Sequence, residues 1–275
     1  MTVNRHAHRA PGPFSAKAAH GTHEFHKEKS DFMKSEAFTT EQLMDRWEDQ
    51  RDIKNLMGIY ANYIILNKDA DVVADLWSQR GDLCYGVNDG WYAGREAVAG
   101  YYRAVRRRNE LVARCLQEKF PQELGGKTAD EIFGIGTFRV YPVSCPVIEI
   151  ARDGETAKGL WYCQGSHAEV LGCGPTSMWS WGYYAADFIR EGDAWKIWHL
   201  QFTNDVDARC GQDWGKPIAP LPELPEFDAL RAHSLPAPTV AECLRRRYSA
   251  ERPLTPAPRI PEPYGTFGET FSYGI

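Results

Sequence analysis

An α+β fold, with helices leading and an antiparallel meander following, is what this sequence predicts, and three features carry the prediction. Apolar residues recur at three- and four-residue intervals through the first half of the central region. They change to strand-like runs in the second half, and turn residues separate those runs at short intervals.

Thr39-Thr40-Glu41-Gln42 offers a helix start, and Leu43, Trp47, Ile53, Leu56, Met57, Tyr60, Tyr63 and Ile64 follow at helical spacing through one long helix or a helix pair. Asp71 to Trp77 reads as a second helical segment. The stretch GREAVAGYYRAVRRRNELVARCL, from Gly94, reads as a third, with Val98, Tyr101, Tyr102, Val105 and Leu111 near one stripe. Strands follow in VIEIARDGETAKGLWYCQGSHAEVLG and SMWSWGYYAADFIREGDAWKIWHLQF. Turns are expected at Asp153-Gly154, Gly172 to Pro175 and Glu191-Gly192-Asp193.

This central domain spans residues 39–210. Residues 1–38 hold five of the eight histidines without an apolar period and read as a mobile arm. Residues 211–275 hold eleven of the seventeen prolines, which excludes long helices and central strands. The aromatic and aliphatic content of that tail predicts that it packs on the body or on a neighbouring subunit.

With 275 residues, 43% of them hydrophobic and 25% charged, the chain is long enough for one large domain with a real core. No run approaches the ~18 apolar residues of a membrane helix, and the first residues carry no secretory signal, so no membrane partner and a cytoplasmic location are expected. A net charge of −5 gives no general attraction to nucleic acid. Seven scattered cysteines without a CxxC pair argue against a disulfide framework and against a zinc site, and read as reduced core residues. There is no Gly-rich phosphate loop, no HExxH and no GxSxG elbow. Neither a metal nor a cofactor is expected.

Outside the arm, histidine occurs at 167, 199 and 233. Strand alternation puts Trp195, Ile197, His199 and Gln201 on one face, and Trp161, Cys163, Gly165, His167 and Glu169 on another. If the turns centre near Gly174 and Gly192, His167 falls opposite Trp181 and His199 opposite Ala185. Both histidines then share an aromatic wall with Trp179, Trp181 and Tyr183, on the order of 15 Å apart in a flat sheet. A histidine on a packed strand is often a hydrogen-bonded core residue, and tyrosines on a helix often belong to the core. Several imidazoles and phenols on one aromatic wall nevertheless point to a ligand pocket. The opposite face, with Tyr184, Phe188, Trp198, Leu200 and Phe202, is also apolar and needs a partner subunit or the tail to cover it, and a homo-oligomer, dimer or trimer, is expected.

The succession of the Tyr60 and Tyr63 helix, DADVVADLW, GWYAGREAVAGYY, PVIEIARDGETAKGLWY and WGYYAADFIREGDAWKIWHL resembles the SnoaL-like branch of the nuclear transport factor 2-like superfamily over about residues 45–205. That resemblance implies a curved antiparallel sheet wrapped over helices as a cone with an apolar pocket. Two family positions depart from the pattern. Leu66 stands where many catalytic members carry a pocket Asp, and Tyr141 stands where they carry a His.

The long form with GLWYCQGSHAEV, a WxWGxYxxDF strand and a Pro-rich tail resembles the lignin-derived diarylpropane lyase group. This implies a cofactor-independent lyase that turns a phenolic diarylpropane diol into a stilbene and formaldehyde through a quinone methide. On that reading His199 and His167 transfer protons and Tyr60 and Tyr63 orient hydroxyls. Tyr102, Arg106, Tyr141, Trp181, Tyr183 and Trp195 contact the aromatic substrate. A dehydratase or isomerase acting on a polyketide or steroid-like ring, and a non-catalytic small-molecule-binding module, remain open alternatives.

Overall fold

The computed structural model describes residues 38–87, 89–171, 174–214, 235–253 and 258–275. The expected arm lies outside the described residues up to position 37, as do residues 215–234 with His233. From Gln42 onward the chain forms one compact unit.

The first helix, α1 (Thr40–Ile65), buries Ile53, Leu56, Met57, Tyr60, Ala61 and Ile64, one stripe at three- and four-residue spacing. Leu43 and Trp47, expected on the same stripe, are exposed. The first half of the helix is instead anchored by polar contacts. Arg46 donates to the carbonyls of Ile150 (2.6 Å) and Ala151 (3.0 Å), and Asp49 accepts from Trp195 Nε1 at 2.8 Å.

Asn67 ends this helix in the left-handed region at φ 55°, which asparagine tolerates better than most residues. Lys68 N then closes onto the Tyr63 carbonyl at 2.9 Å. A short helix, α2 (Val72–Leu76), and the hairpin β1 (Cys84–Val87) and β2 (Gly90–Ala93) lead to α3 (Arg95–Lys119). This helix buries Val98, Tyr102, Asn109, Val112 and Ala113. Two short helices, α4 (Pro121–Leu124) and α5 (Ala129–Ile132), precede β3 (Phe138–Val140) and β4 (Ser144–Ile150).

Three long strands follow: β5 (Thr156–Leu171), β6 (Gly174–Glu191) and β7 (Ala194–Arg209). With β8 (Val240–Ala241) they complete a sheet of order β3-β5-β6-β7-β1-β2-β8, β4 pairing separately with β5. The sheet is curved and not closed, and it is mixed where a wholly antiparallel one was expected, because β1 runs parallel to β7. No tight turn joins those two strands, so nothing local imposes the antiparallel direction. The core lies between α1, α3 and one sheet face, with Trp77, Trp161, Phe188 and Ile197 fully buried.

Two register details decide where the histidines go. Leu171 pairs with Gly174, so His167 stands opposite Met178, not Trp181. That shift is an odd number of residues and moves His167 to the other face of β6 from the expected one. On β7 a bulge at Asp187/Phe188 pairs Phe188 with Ile197 but Asp187 with His199. Ile197 therefore faces the core and His199 faces away from it.

The wall expected to carry both histidines does not exist. The face expected to need a partner subunit, with Tyr184, Leu200 and Phe202, is the one turned to the helices. Three cysteines expected in the core, Cys145, Cys210 and Cys243, are exposed. No helix among the described residues is long and apolar enough to cross a membrane.

Candidate active site

A cavity of about 330 Å³ opens between the helices and the inner sheet face. The helices contribute Tyr60, Tyr101, Tyr102 and Asn109. Facing them are Tyr85 of β1, Arg139 of β3, Tyr141 and, from the long strands, His167, Ser180, Tyr184, Phe202 and Asn204. This volume sits at the small end of the range for ligand pockets.

The aromatic side is a mesh of phenols. Tyr60 and Tyr102 share a hydrogen bond of 3.1 Å between their hydroxyls, and Tyr85 stacks on Tyr102 with centroids 5.4 Å apart. Burial pushes the phenols of Tyr60, Tyr85, Tyr101, Tyr102 and Tyr184 upward, so all five stay protonated at neutral pH. They are hydrogen-bond donors, not bases.

Two polar pairs interrupt the mesh. Tyr141 Oη and His167 Nδ1 lie 3.0 Å apart with nearly parallel rings. A phenol and an imidazole are residue types that serve in general acid–base catalysis. The other pair is Arg139 with Asp69, joined by bonds of 2.6 and 3.1 Å, Asp69 being 1% exposed. Asn67 Oδ1 accepts from both Arg139 (2.8 Å) and Asn109 (3.1 Å). Burial pulls Arg139 down, but the hydrogen bond and charge of Asp69 outweigh it, and the guanidinium stays cationic.

The helix stop at Asn67 thus does double duty, turning the chain and bringing Asp69 into the cavity. Leu66, where many catalytic members carry a pocket Asp, is 60% exposed, and the buried acid at the cavity is Asp69. Nothing local marked it, because its partner Arg139 is 70 residues away.

Of the residues singled out from sequence, Tyr60, Tyr102, Tyr141 and His167 line this cavity. The other six do not. Tyr63 points to Asp75, its hydroxyl donating at 2.9 Å. Arg106 pairs with Glu110 at 3.0 Å and lies over Phe133. Trp181 packs on Trp179 and Trp214, Tyr183 on Tyr162, and Trp195 under Arg190.

His199 lies on the outer face, 2.8 Å from Asp187, which also takes Lys158 Nζ at 2.5 Å. Lys158 and Asp187 are completely buried. The C-terminal segment seals the group: Ser272 Oγ (3.1 Å) and Tyr273 N (2.8 Å) both donate to Asp187. Phe267, Phe271 and Tyr273 place their rings within 5.0 Å of the Lys158 ammonium. Burial lowers Lys158, and the charge and hydrogen bond of Asp187 oppose that shift.

A curved, open sheet cupped over helices around a ligand-sized cavity defines a nuclear transport factor 2-like protein. Residues 45–201 match the model of the SnoaL-like domain, and the chain belongs to that family. Similar solved structures include a variant of Rv3472 of Mycobacterium tuberculosis, a protein of unknown function, with 15% identity over 70% of this chain and 89% of that one and a TM-score of 0.42. The Kfla4162 protein of Kribbella flavida shows 17% identity, 59% and 94% coverage and a TM-score of 0.43. The hexachlorocyclohexane dehydrochlorinase LinA-type3 of Novosphingobium barchaimii shows 14%, 63%, 99% and 0.41. No curated protein matches the chain.

Proposed function

We propose that the protein is a cofactor-independent lyase acting on a phenolic, lignin-type two-ring substrate, converting a diarylpropane diol to a stilbene, water and formaldehyde. One observation supports the reading: a hydrogen-bonded Tyr141–His167 pair shares a small cavity with a mesh of protonated phenols. Acid, base and oxyanion donors are thereby within one site.

In the first step the benzylic carbon–oxygen bond breaks. The Tyr60–Tyr102 pair donates hydrogen bonds to the departing hydroxide, which takes up the phenolic proton and leaves as water, and a neutral quinone methide remains. In the second, His167 takes the proton of the terminal hydroxyl, and the carbon–carbon bond to that carbon breaks. Its electron pair forms the stilbene double bond and restores the ring as a phenolate, formaldehyde leaves, and the proton held by His167 returns to the phenolate oxygen. Arg139, held by Asp69, supplies positive charge where the phenolic oxygen becomes anionic.

The test is to incubate the purified protein with a phenolic diarylpropane diol and quantify stilbene and formaldehyde. Equimolar release of the two is expected, and the O-methylated diol, which cannot form a quinone methide, should be inert. Water loss without formaldehyde would replace this reading with a dehydratase. No turnover of any such compound would favour a binding module.

A further inference from the structure

The tyrosine cavity has a neighbour that the proposed chemistry does not use. A groove of about 420 Å³ lies between Asp89, Asp205 of β7 and the segment from Cys243 to Pro253. Arg245 belongs to both linings, so the two spaces share a wall.

The groove is built at an irregularity of the sheet. Gly182 pairs with Asn204 and Trp181 with Val206, which leaves Asp205 as an extra residue. Bulges of this kind re-aim side chains and cluster beside functional sites. Main-chain bonds from Arg246 N to Asn204 O (2.7 Å) and from Tyr248 N to Asp205 O (2.6 Å) hold the arginine-rich segment along the bulge.

Charge points the same way. Four arginines, at 245, 246, 247 and 252, line the groove against Asp89 and Asp205. Arg245 meets Asp207 at 3.1 Å on the cavity side and Asp89 at 3.6 Å, and its Nε is buried without a hydrogen-bond partner. Burial pushes the Asp205 carboxyl up to about 6, with Arg246 opposing. A concave surface with excess guanidinium groups is suited to a carboxylate, which arginine binds through paired N–H groups.

We infer that this groove is the second lobe of the substrate site and takes a carboxylate. The ligand is then an elongated aromatic molecule, its phenolic ring among the cavity tyrosines and its anionic end at Arg246 and Arg252. This rests on the reading of the tyrosine cavity as a phenol site, and it adds a substrate class to it.

The experiment measures binding, not turnover, on the full chain. 4′-Hydroxystilbene-4-carboxylate and its methyl ester are titrated against the wild type and against the Arg246→Gln/Arg252→Gln variant. Both arginines are exposed, so the variant should fold normally. The wild type is expected to prefer the acid by about tenfold at low salt, the scale of one charge-assisted hydrogen bond. The variant should lose that preference and hold the ester with unchanged affinity. Equal binding of acid and ester by the wild type, or a preference that survives in the variant, overturns the assignment alone. Failure of the wild type to bind either compound overturns the phenol reading of the cavity and this assignment with it.

Discussion

At Asp187 a buried ammonium, an imidazole, a backbone N–H and a serine hydroxyl converge on one carboxylate. Removing that carboxylate leaves Lys158 buried without its counter-ion. Asp187→Ala should therefore cost about 3–5 kcal/mol in urea denaturation, and a cost below about 1 kcal/mol would show the cluster to be solvated. Asp205 behaves in the opposite sense. Its folded carboxyl titrates near 6 against an ordinary 3.8, so between those values the folded state holds the proton that the unfolded state has released. Its contribution to stability thus declines as pH rises from about 4 to about 6. Asp205→Asn should gain in melting temperature relative to wild type across that window, and a difference that stays flat with pH would refute the shift. At this scale Tyr60, Tyr102, Tyr141 and His167, all singled out from the sequence, line the cavity, although Tyr141 was named only through the family resemblance and His167 stands on the sheet face opposite to the one its strand spacing implied. Asp69 and Arg139 were not singled out, because their pairing depends on a left-handed turn at Asn67 and on strand β3, neither of which has a periodic signature.

The elements themselves were largely legible. The apolar periods of α1 and α3, and the turn residues between β5, β6 and β7, place these segments to within a few residues. The faces of the strands were not, because one odd register shift or one bulge reverses the orientation of every side chain beyond it. His199 is the consequence: read by strict alternation it joins Ile197, whereas the bulge at Asp187/Phe188 separates the two. The second bulge, at Trp181/Gly182, depends on a glycine. A Cβ at Gly182 would come within 1.8 Å of the Thr203 carbonyl oxygen, a backbone atom that can retreat only by moving β7. Gly182→Ala should lower stability by at least ~1–3 kcal/mol, and a variant that melts like the wild type would show that β7 yields freely.

For the whole molecule, the described parts of the tail, residues 235–253 and 258–275, pack on the body. Its last residues cover the outer sheet face around Lys158. Gly274 packs so closely that a Cβ there would lie 2.9 Å from the His199 ring. Gly274→Val should unseat the tail, seen as faster amide exchange over residues 264–275, and unchanged protection would contradict the close packing. The molecule thus keeps two histidine sites on opposite sides of one sheet, one in a cavity and one under the tail. The most direct test compares turnover of the diarylpropane diol, per folded molecule, by His167→Gln and His199→Gln. The account predicts a loss of about 100-fold or more for the first, the scale of general acid–base catalysis, and a change of less than about tenfold for the second. Turnover that survives in His167→Gln and collapses in folded His199→Gln would contradict it.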